Sequence, residues 1–99
     1  MDRESVQTVE APRQAESPTR DQVRQWLVDA IAELLGMPPG DIDTRQTYAR
    51  YGLDSSAAIG MTDNLGSWIG VELDATLFYD YPTIEALCEH LVRLGVIRA

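Results

Sequence analysis

Apolar residues recur at intervals of three and four positions in the first half of the 99-residue chain, a spacing typical of an amphipathic helix. The positions concerned are Val23, Trp26, Leu27, Ala30, Ile31, Leu34 and Leu35. Thr19 and Gln22 precede all of them, at the spacing of a capping box. Gly36 follows them as a helix-terminating residue. The pattern predicts one helix between Thr19 and Gly36 with its apolar face in the core.

A second helix is predicted from about Ser55 to Ile69, with Asp54 as its N-cap and Gly70 as its terminating residue. Its apolar face consists of Ala58, Met61, Thr62, Leu65 and Ile69. Gly60 and Gly66 each weaken the helix by roughly 1 kcal/mol relative to alanine. Tertiary packing must therefore stabilise this helix.

A last helix is predicted from about Ile84 to Leu94, capped by Thr83 and ended by Gly95. Its buried stripe would consist of Ile84, Leu87, Cys88 and Leu91. A short helical turn is expected after Asp74, and no strand-like alternation competes with these patterns. The fold class is therefore predicted to be all-α, a small bundle of three main helices and one short helix.

The segment between the first two helices, from Met37 to Leu53, is rich in Pro, Gly, Asp and Thr and reads as a long loop. Its isolated apolar residues, Ile42, Tyr48 and Tyr51, are expected to anchor it over the core. Residues 1–18 have few apolar side chains and are predicted to be a disordered linker or tail. The domain is placed at 19–95, with a C-terminal tail at 96–99.

Charge narrows the choice of partners. Sixteen acidic residues oppose eight arginines, and the net charge is −8. Between Tyr51 and Val92 there are seven acids and no Lys or Arg. This acidic half makes nucleic acid an unfavourable partner and suits basic protein surfaces, although acids also serve simply to keep a small domain soluble.

The reactive residue types argue against an enzyme. Cys88 is the only cysteine and His90 the only histidine, so neither an internal disulfide nor a zinc cluster is expected. Both are interpreted as structural residues of the last helix. With no base, metal site or cofactor loop, catalysis is not expected. No apolar run reaches membrane-spanning length and no signal peptide is visible, which predicts a cytoplasmic, membrane-free protein.

One motif stands out where the long loop enters the second helix: GLDSS, from Gly52 to Ser56. Asp before Ser at a helix start is also ordinary capping chemistry. The motif belongs to a wider series, however: YGLDS (51–55), IGVEL (69–73), ATLF (75–78), DYPTI (80–84) and AL (86–87). In this order and spacing, over about residues 22–93, the chain resembles the acyl carrier proteins of type I polyketide synthases.

The resemblance implies that Ser55 receives a 4'-phosphopantetheine arm from coenzyme A, with Asp54 as the preceding motif residue and helix cap. The arm's thiol would hold acyl or polyketide cargo as a thioester. Partner recognition is assigned to Ser56, Ile59, Gly60 and Asp63, with Met61 directed inward. Ser56 stands where the family favours leucine and Gly60 where it often has glutamate, so partner specificity is expected to be unusual.

The implied partners are a phosphopantetheinyl transferase, an acyl-loading enzyme (an acyltransferase or a fatty acyl-AMP ligase), and ketosynthase and other synthase domains. As an isolated domain the chain is expected to be monomeric. Two alternatives remain at this point. The chain could be a peptidyl carrier of a nonribosomal peptide synthetase, or an arm-free helical module in which Asp54 and Ser55 only cap a helix.

Overall fold

The computed structural model describes residues 17–99, and the predicted tail at 1–18 lies almost wholly outside them. The described residues form four α-helices and no strand: α1 (Arg20–Leu35), α2 (Ser55–Ile69), α3 (Leu77–Asp80) and α4 (Ile84–Leu94). Two 3₁₀ turns, Pro39–Asp41 and Ala49–Tyr51, lie between α1 and α2. The predicted all-α class is confirmed. None of these helices is long and apolar enough to cross a lipid bilayer.

The helix ends form where the sequence placed them. The Thr19 hydroxyl accepts the Gln22 backbone N–H at 3.2 Å, and the Gln22 side-chain oxygen accepts the Thr19 N–H at 2.9 Å. This reciprocal pair satisfies two donors that the first turn of α1 leaves open. Gly36 follows with φ 69°, the left-handed conformation that glycine adopts without a steric penalty. The predicted capping box is confirmed.

One core joins the helices. The predicted apolar faces of α2 and α4 are confirmed, because every residue assigned to them is buried. The side chains with the least exposure are Val23, Leu27, Ile31, Thr62, Leu65, Ile84, Leu87, Cys88 and Leu91. Thr62 is the one buried polar side chain in this group, and its hydroxyl donates to the Ala58 carbonyl at 2.7 Å. The one hydroxyl among these least exposed side chains is therefore satisfied.

The predicted buried face of α1 is wrong at its end. Leu34 is 54% exposed, although its spacing places it in line with the buried Leu27. The reason lies on α2, where the residues lining the same hollow include Ala57 and Gly60. Ala57 has only a methyl group and Gly60 has no side chain, so neither covers the leucine. Trp26, also assigned to the core, is half-buried at the core's edge.

The long loop is held to the rest of the fold by contacts along its middle. Ile42 and Tyr48 are buried as expected, with 8% and 5% exposure. The Tyr48 N–H donates to the Pro82 carbonyl at 3.0 Å, and the Glu85 N–H donates to the Thr44 carbonyl at 3.1 Å. These bonds hold the loop to the start of α4, so the entry into α2 has a defined position.

Residues 96–99, assigned above to a tail, contact the fold. Ile97 is only 4% exposed and belongs to the core. The Arg98 N–H donates to the Pro18 carbonyl at 2.9 Å, and the Arg20 N–H donates to the Arg98 carbonyl at 2.7 Å. The start of α1 is thereby joined to the end of the chain, beyond the boundary at 95 that helix patterning suggested.

Candidate functional site

The site begins at the turn that leads into α2. Gly52 has φ 80° and ends the second 3₁₀ turn, with its N–H donating to the Ala49 carbonyl at 2.9 Å. A residue with a side chain is strained in this left-handed conformation. Asp54 then returns to extended backbone, and its carboxylate accepts the Ala57 N–H at 2.9 Å. Asp54 is thus the N-cap that the sequence predicted.

Ser55 is the first residue of α2 and is exposed. No described residue hydrogen-bonds to its hydroxyl. The backbone N–H groups of Ser55 and Ser56 likewise have no acceptor among residues 17–99, because the Asp54 side chain takes the Ala57 N–H and the Asp54 carbonyl takes the Ala58 N–H. The hydroxyl therefore stands beside free donors at the positive end of the helix. That environment fits a phosphodiester bonded to Ser55.

The four residues assigned to partner recognition lie on the outside of the same helix. Ser56, Ile59, Gly60 and Asp63 are all exposed, and their spacing places them along one face. Ile59 is 47% exposed, whereas Met61 is 7% exposed. The predicted orientations of Ile59 and Met61 are confirmed. The role of the four exposed residues in partner recognition stays a prediction.

An apolar pocket of about 230 Å³ lies beside the cap. It is formed where the loop before α2 approaches α3, and its lining includes Tyr48, Leu53, Asp54, Ala58, Phe78 and Tyr79. The Tyr48 and Phe78 rings pack with their centroids 4.6 Å apart. Sequence reasoning did not find this pocket, because its walls come from segments at least twenty positions apart. Only the isolated aromatic residues of those segments could have pointed to it.

Two groups with raised pKa values, the Cys88 thiol and the Tyr48 hydroxyl, lie inside the protein. Burial raises the pKa of the Cys88 thiol to about 11 and raises the pKa of the Tyr48 hydroxyl above its usual range. Cys88 therefore stays a neutral core thiol, as predicted. His90 is half-buried and stacks on Tyr81 with ring centroids 4.0 Å apart, which agrees with the structural role assigned to it.

No cluster of three or more metal-ligating side chains occurs within residues 17–99. The exposed Ser55 hydroxyl is a nucleophilic group at the start of α2.

The sequence of the chain matches a known family. Residues 25–91 match the family described as "Phosphopantetheine attachment site". The acyl carrier protein TtuC of Teredinibacter turnerae is 33% identical over 73 residues, which are 74% of this chain and 84% of TtuC. Polyketide synthases of Bacillus subtilis and Mycobacterium tuberculosis also match, at 28% and 30% identity over 90% and 80% of this chain. The chain spans only 2% and 4% of their length.

Solved structures share the fold. An Anabaena acyl carrier protein with a variant phosphopantetheinylation-site sequence aligns with a TM-score of 0.72 and 31% identity, covering 92% of this chain and 97% of that protein. A free-standing peptidyl carrier protein from Acinetobacter baumannii aligns with a TM-score of 0.71 and 34% identity, over 77% of this chain and 95% of its own. Carrier domains of this family are generally non-catalytic. The chain belongs to the phosphopantetheine-binding carrier family, as an acyl carrier protein domain whose cofactor is 4'-phosphopantetheine.

Proposed function

We propose that this domain tethers acyl or polyketide intermediates on a 4'-phosphopantetheine arm attached to the Ser55 hydroxyl and delivers them to partner enzymes. The observation that carries the proposal is the position of Ser55, exposed at the first residue of α2 with the neighbouring N–H groups open. When bound, the arm supplies the thiol that holds the cargo as a thioester. The chain itself performs no catalytic step.

The residues around Ser55 have separate tasks in this proposal. Asp54 caps the helix and thereby holds the Ser55 backbone at the helix start. The positive end of α2 stabilises the phosphodiester by roughly 0.3–1 kcal/mol. The Asp54 carboxylate opposes this in part, since it carries the same charge as the phosphate. Its own bond to the Ala57 N–H directs it toward the backbone.

The partners follow from the same chemistry. A phosphopantetheinyl transferase attaches the arm and supplies the base. An acyltransferase or a fatty acyl-AMP ligase loads the thiol, and a ketosynthase with other synthase domains receives the cargo. Carrier domains of polyketide synthases work with such domains in general. Which enzymes serve this chain is part of the proposal, because the chain spans a small fraction of the synthases it matches.

Intact-mass measurement tests the attachment site. The protein is incubated with coenzyme A and a promiscuous phosphopantetheinyl transferase, and we expect a gain of one phosphopantetheine. Ser55→Ala should abolish the gain, while Ser56→Ala, one position further along α2, should retain it. No gain in the wild-type chain would refute the carrier function and leave the arm-free helical module. Loss only in Ser56→Ala would move the site by one residue.

A peptidyl carrier function is the second candidate. It is favoured by the likeness to the peptidyl carrier protein from Acinetobacter baumannii. The two candidates differ in cargo alone, so loading of the arm-bearing protein decides between them. We expect fatty acyl-AMP ligases or acyltransferases to load the domain. Loading only by an amino-acid adenylating enzyme would establish the peptidyl alternative.

A further inference from the structure

A groove runs along the surface between α1 and α2. The two helices are antiparallel there, because Leu34 near the end of α1 and Ala57 near the start of α2 line the same stretch. Ala30 and Met61 continue into the next stretch, which Trp26 also lines. The lining includes three residues with very small side chains, Ala30, Ala57 and Gly60. The two helices therefore leave room between them for a side chain from outside.

Large apolar groups mark both ends of this groove. At one end Leu34 is 54% exposed. At the other end the Trp26 and Trp68 rings stack with centroids 5.7 Å apart and planes 10° from parallel, and Trp68 is 43% exposed. Exposed leucine and tryptophan side chains beside one groove are typical of protein interaction sites.

Acidic residues lie on the α1 side of the groove. Asp29 and Glu33 are among its lining residues and are exposed. Asp29 accepts one hydrogen bond, from the Gln25 side chain at 2.9 Å, whereas Glu33 has no side-chain partner within residues 17–99. No arginine lines the groove, and Arg24 on α1 is engaged by Asp21 and Glu85. The groove thus has large apolar side chains at both ends, the polar Asn64 in its lining, and carboxylates along its α1 side.

We propose that the α1–α2 groove is a docking surface for a basic amphipathic segment of a partner enzyme. An apolar side chain of that segment enters between Leu34 and the tryptophan pair, and an arginine or lysine beside it pairs with Glu33 and Asp29. This surface lies next to the exposed face of Ser56, Ile59 and Asp63 but uses α1 as its second wall. The groove consists of protein side chains alone, so docking of the segment does not require the phosphopantetheine arm on Ser55.

The charge of the groove favours a basic partner segment over a second copy of this chain and over an acyl chain carried on the arm. In a symmetric dimer formed through this face, the same carboxylates would approach one another, and each chain carries a net charge of −8. An acyl chain folded back from Ser55 offers no cation to Glu33 or Asp29. A basic amphipathic segment offers apolar side chains to the groove and cations to Glu33 and Asp29.

The two tryptophans of the chain supply the readout, since Trp26 lines the groove and Trp68 stacks on Trp26. The probe is a synthetic helical peptide with leucines on one face and arginines flanking them, and its matched control carries glutamates in place of the arginines. In ¹H–¹⁵N NMR spectra we expect the arginine peptide to shift both indole N–H signals and the glutamate peptide to shift neither. Ser55→Ala protein should respond as the wild type does.

Two variants probe the surface and one serves as control. Gly60→Leu fills the groove at a position where an added Cβ meets nothing within 4 Å, and we expect it to weaken peptide binding at least about tenfold. Glu33→Gln should weaken binding about threefold at low salt. Glu72→Gln removes an exposed carboxylate that lines a separate pocket near residues 70–73 and should leave binding unchanged.

Four outcomes would overturn the proposal. The indole signals could fail to respond to the arginine peptide, or the response could survive in Gly60→Leu, which would place the peptide elsewhere. If the indole signals shift when the arm is loaded with an octanoyl group but not when the peptide is added, the groove binds cargo. Dimerisation in sedimentation experiments, lost in Gly60→Leu, would make it an interface between copies. Arm attachment is measured separately by mass, so none of these results bears on the carrier function.

Discussion

The Arg24 guanidinium and the Glu85 carboxylate form a two-point hydrogen bond across 61 positions of the chain, with Nε to Oε2 at 2.9 Å and Nη2 to Oε1 at 3.1 Å. Thr44 adds its hydroxyl to Glu85 Oε2 at 2.6 Å. One carboxylate thus connects α1, the long loop and α4. The hydrogen bond from Arg24, followed by that from Thr44, lowers the pKa of Glu85 below its ordinary value.

Replacing this carboxylate should destabilise the fold. Glu85→Gln loses the charge-assisted pairing, and we expect the free energy of unfolding to fall by about 1 kcal/mol, because both side chains are still partly open to water. Urea denaturation followed by circular dichroism measures the change. Glu89→Gln is the matched control on the same helix, where the contact with Arg93 is 4.0 Å long and well exposed. Equal losses in the two variants would contradict the connecting role of Glu85.

The same pair predicts a dependence on pH. A carboxylate whose folded pKa is lowered stabilises the folded state fully above its unfolded pKa, near 4.5 for glutamate, and this contribution is lost as the pH falls through the lowered folded value. Glu85→Gln cannot titrate at this position. The stability difference between wild type and variant should therefore be largest near neutral pH and shrink toward acid. Urea midpoints across this range measure it, and a difference that grows on acidification would be inconsistent with the lowered pKa.

Two glycines inside α2 should respond oppositely to alanine. A Cβ at Gly66 would lie 2.6 Å from the Val71 carbonyl oxygen, whereas a Cβ at Gly60 would meet nothing within 4 Å. We expect Gly66→Ala to lower the free energy of unfolding by roughly 1–3 kcal/mol through this clash. Gly60→Ala should raise it by up to about 1 kcal/mol through better helix propensity. Thermal denaturation of the pair is the measurement, and similar shifts in both would argue against the close approach at Gly66.

Two tyrosines of the loop should likewise respond in opposite directions to removal of the hydroxyl. The buried Tyr48 hydroxyl has no hydrogen-bond partner among the described residues. The Tyr51 hydroxyl accepts the Asp43 N–H at 2.6 Å. Since a buried unsatisfied hydroxyl is unfavourable, Tyr48→Phe should stabilise the fold by about 1 kcal/mol.

Tyr51→Phe is the matched variant and should destabilise the fold by about 1 kcal/mol, because the Asp43 N–H loses its acceptor. Urea denaturation of both variants tests the contrast. Destabilisation by Tyr48→Phe would mean that its hydroxyl has a partner in solution, such as an ordered water molecule.

Local sequence patterns were sufficient to predict the helices and the start of α2. Capping side chains act on backbone groups three positions away, as Thr19 and Asp54 do, and glycine is favoured wherever φ is positive, as at Gly36. Both effects are local, so spacing along the chain is enough to predict them. The position of Ser55 at the first residue of α2 followed from the same local chemistry, while the family supplied the reason to propose an arm there.

Tertiary structure alone decided which apolar residues are covered. Leu34 follows the same periodicity as Leu27, but its exposure depends on the short side chains opposite it, Ala57 and Gly60. The stack of Trp26 on Trp68 and the pairing of Arg24 with Glu85 join residues that are far apart in the chain. Helical periodicity states which way a side chain points and contains no information about what lies opposite. The α1–α2 groove therefore became visible only in the packed structure.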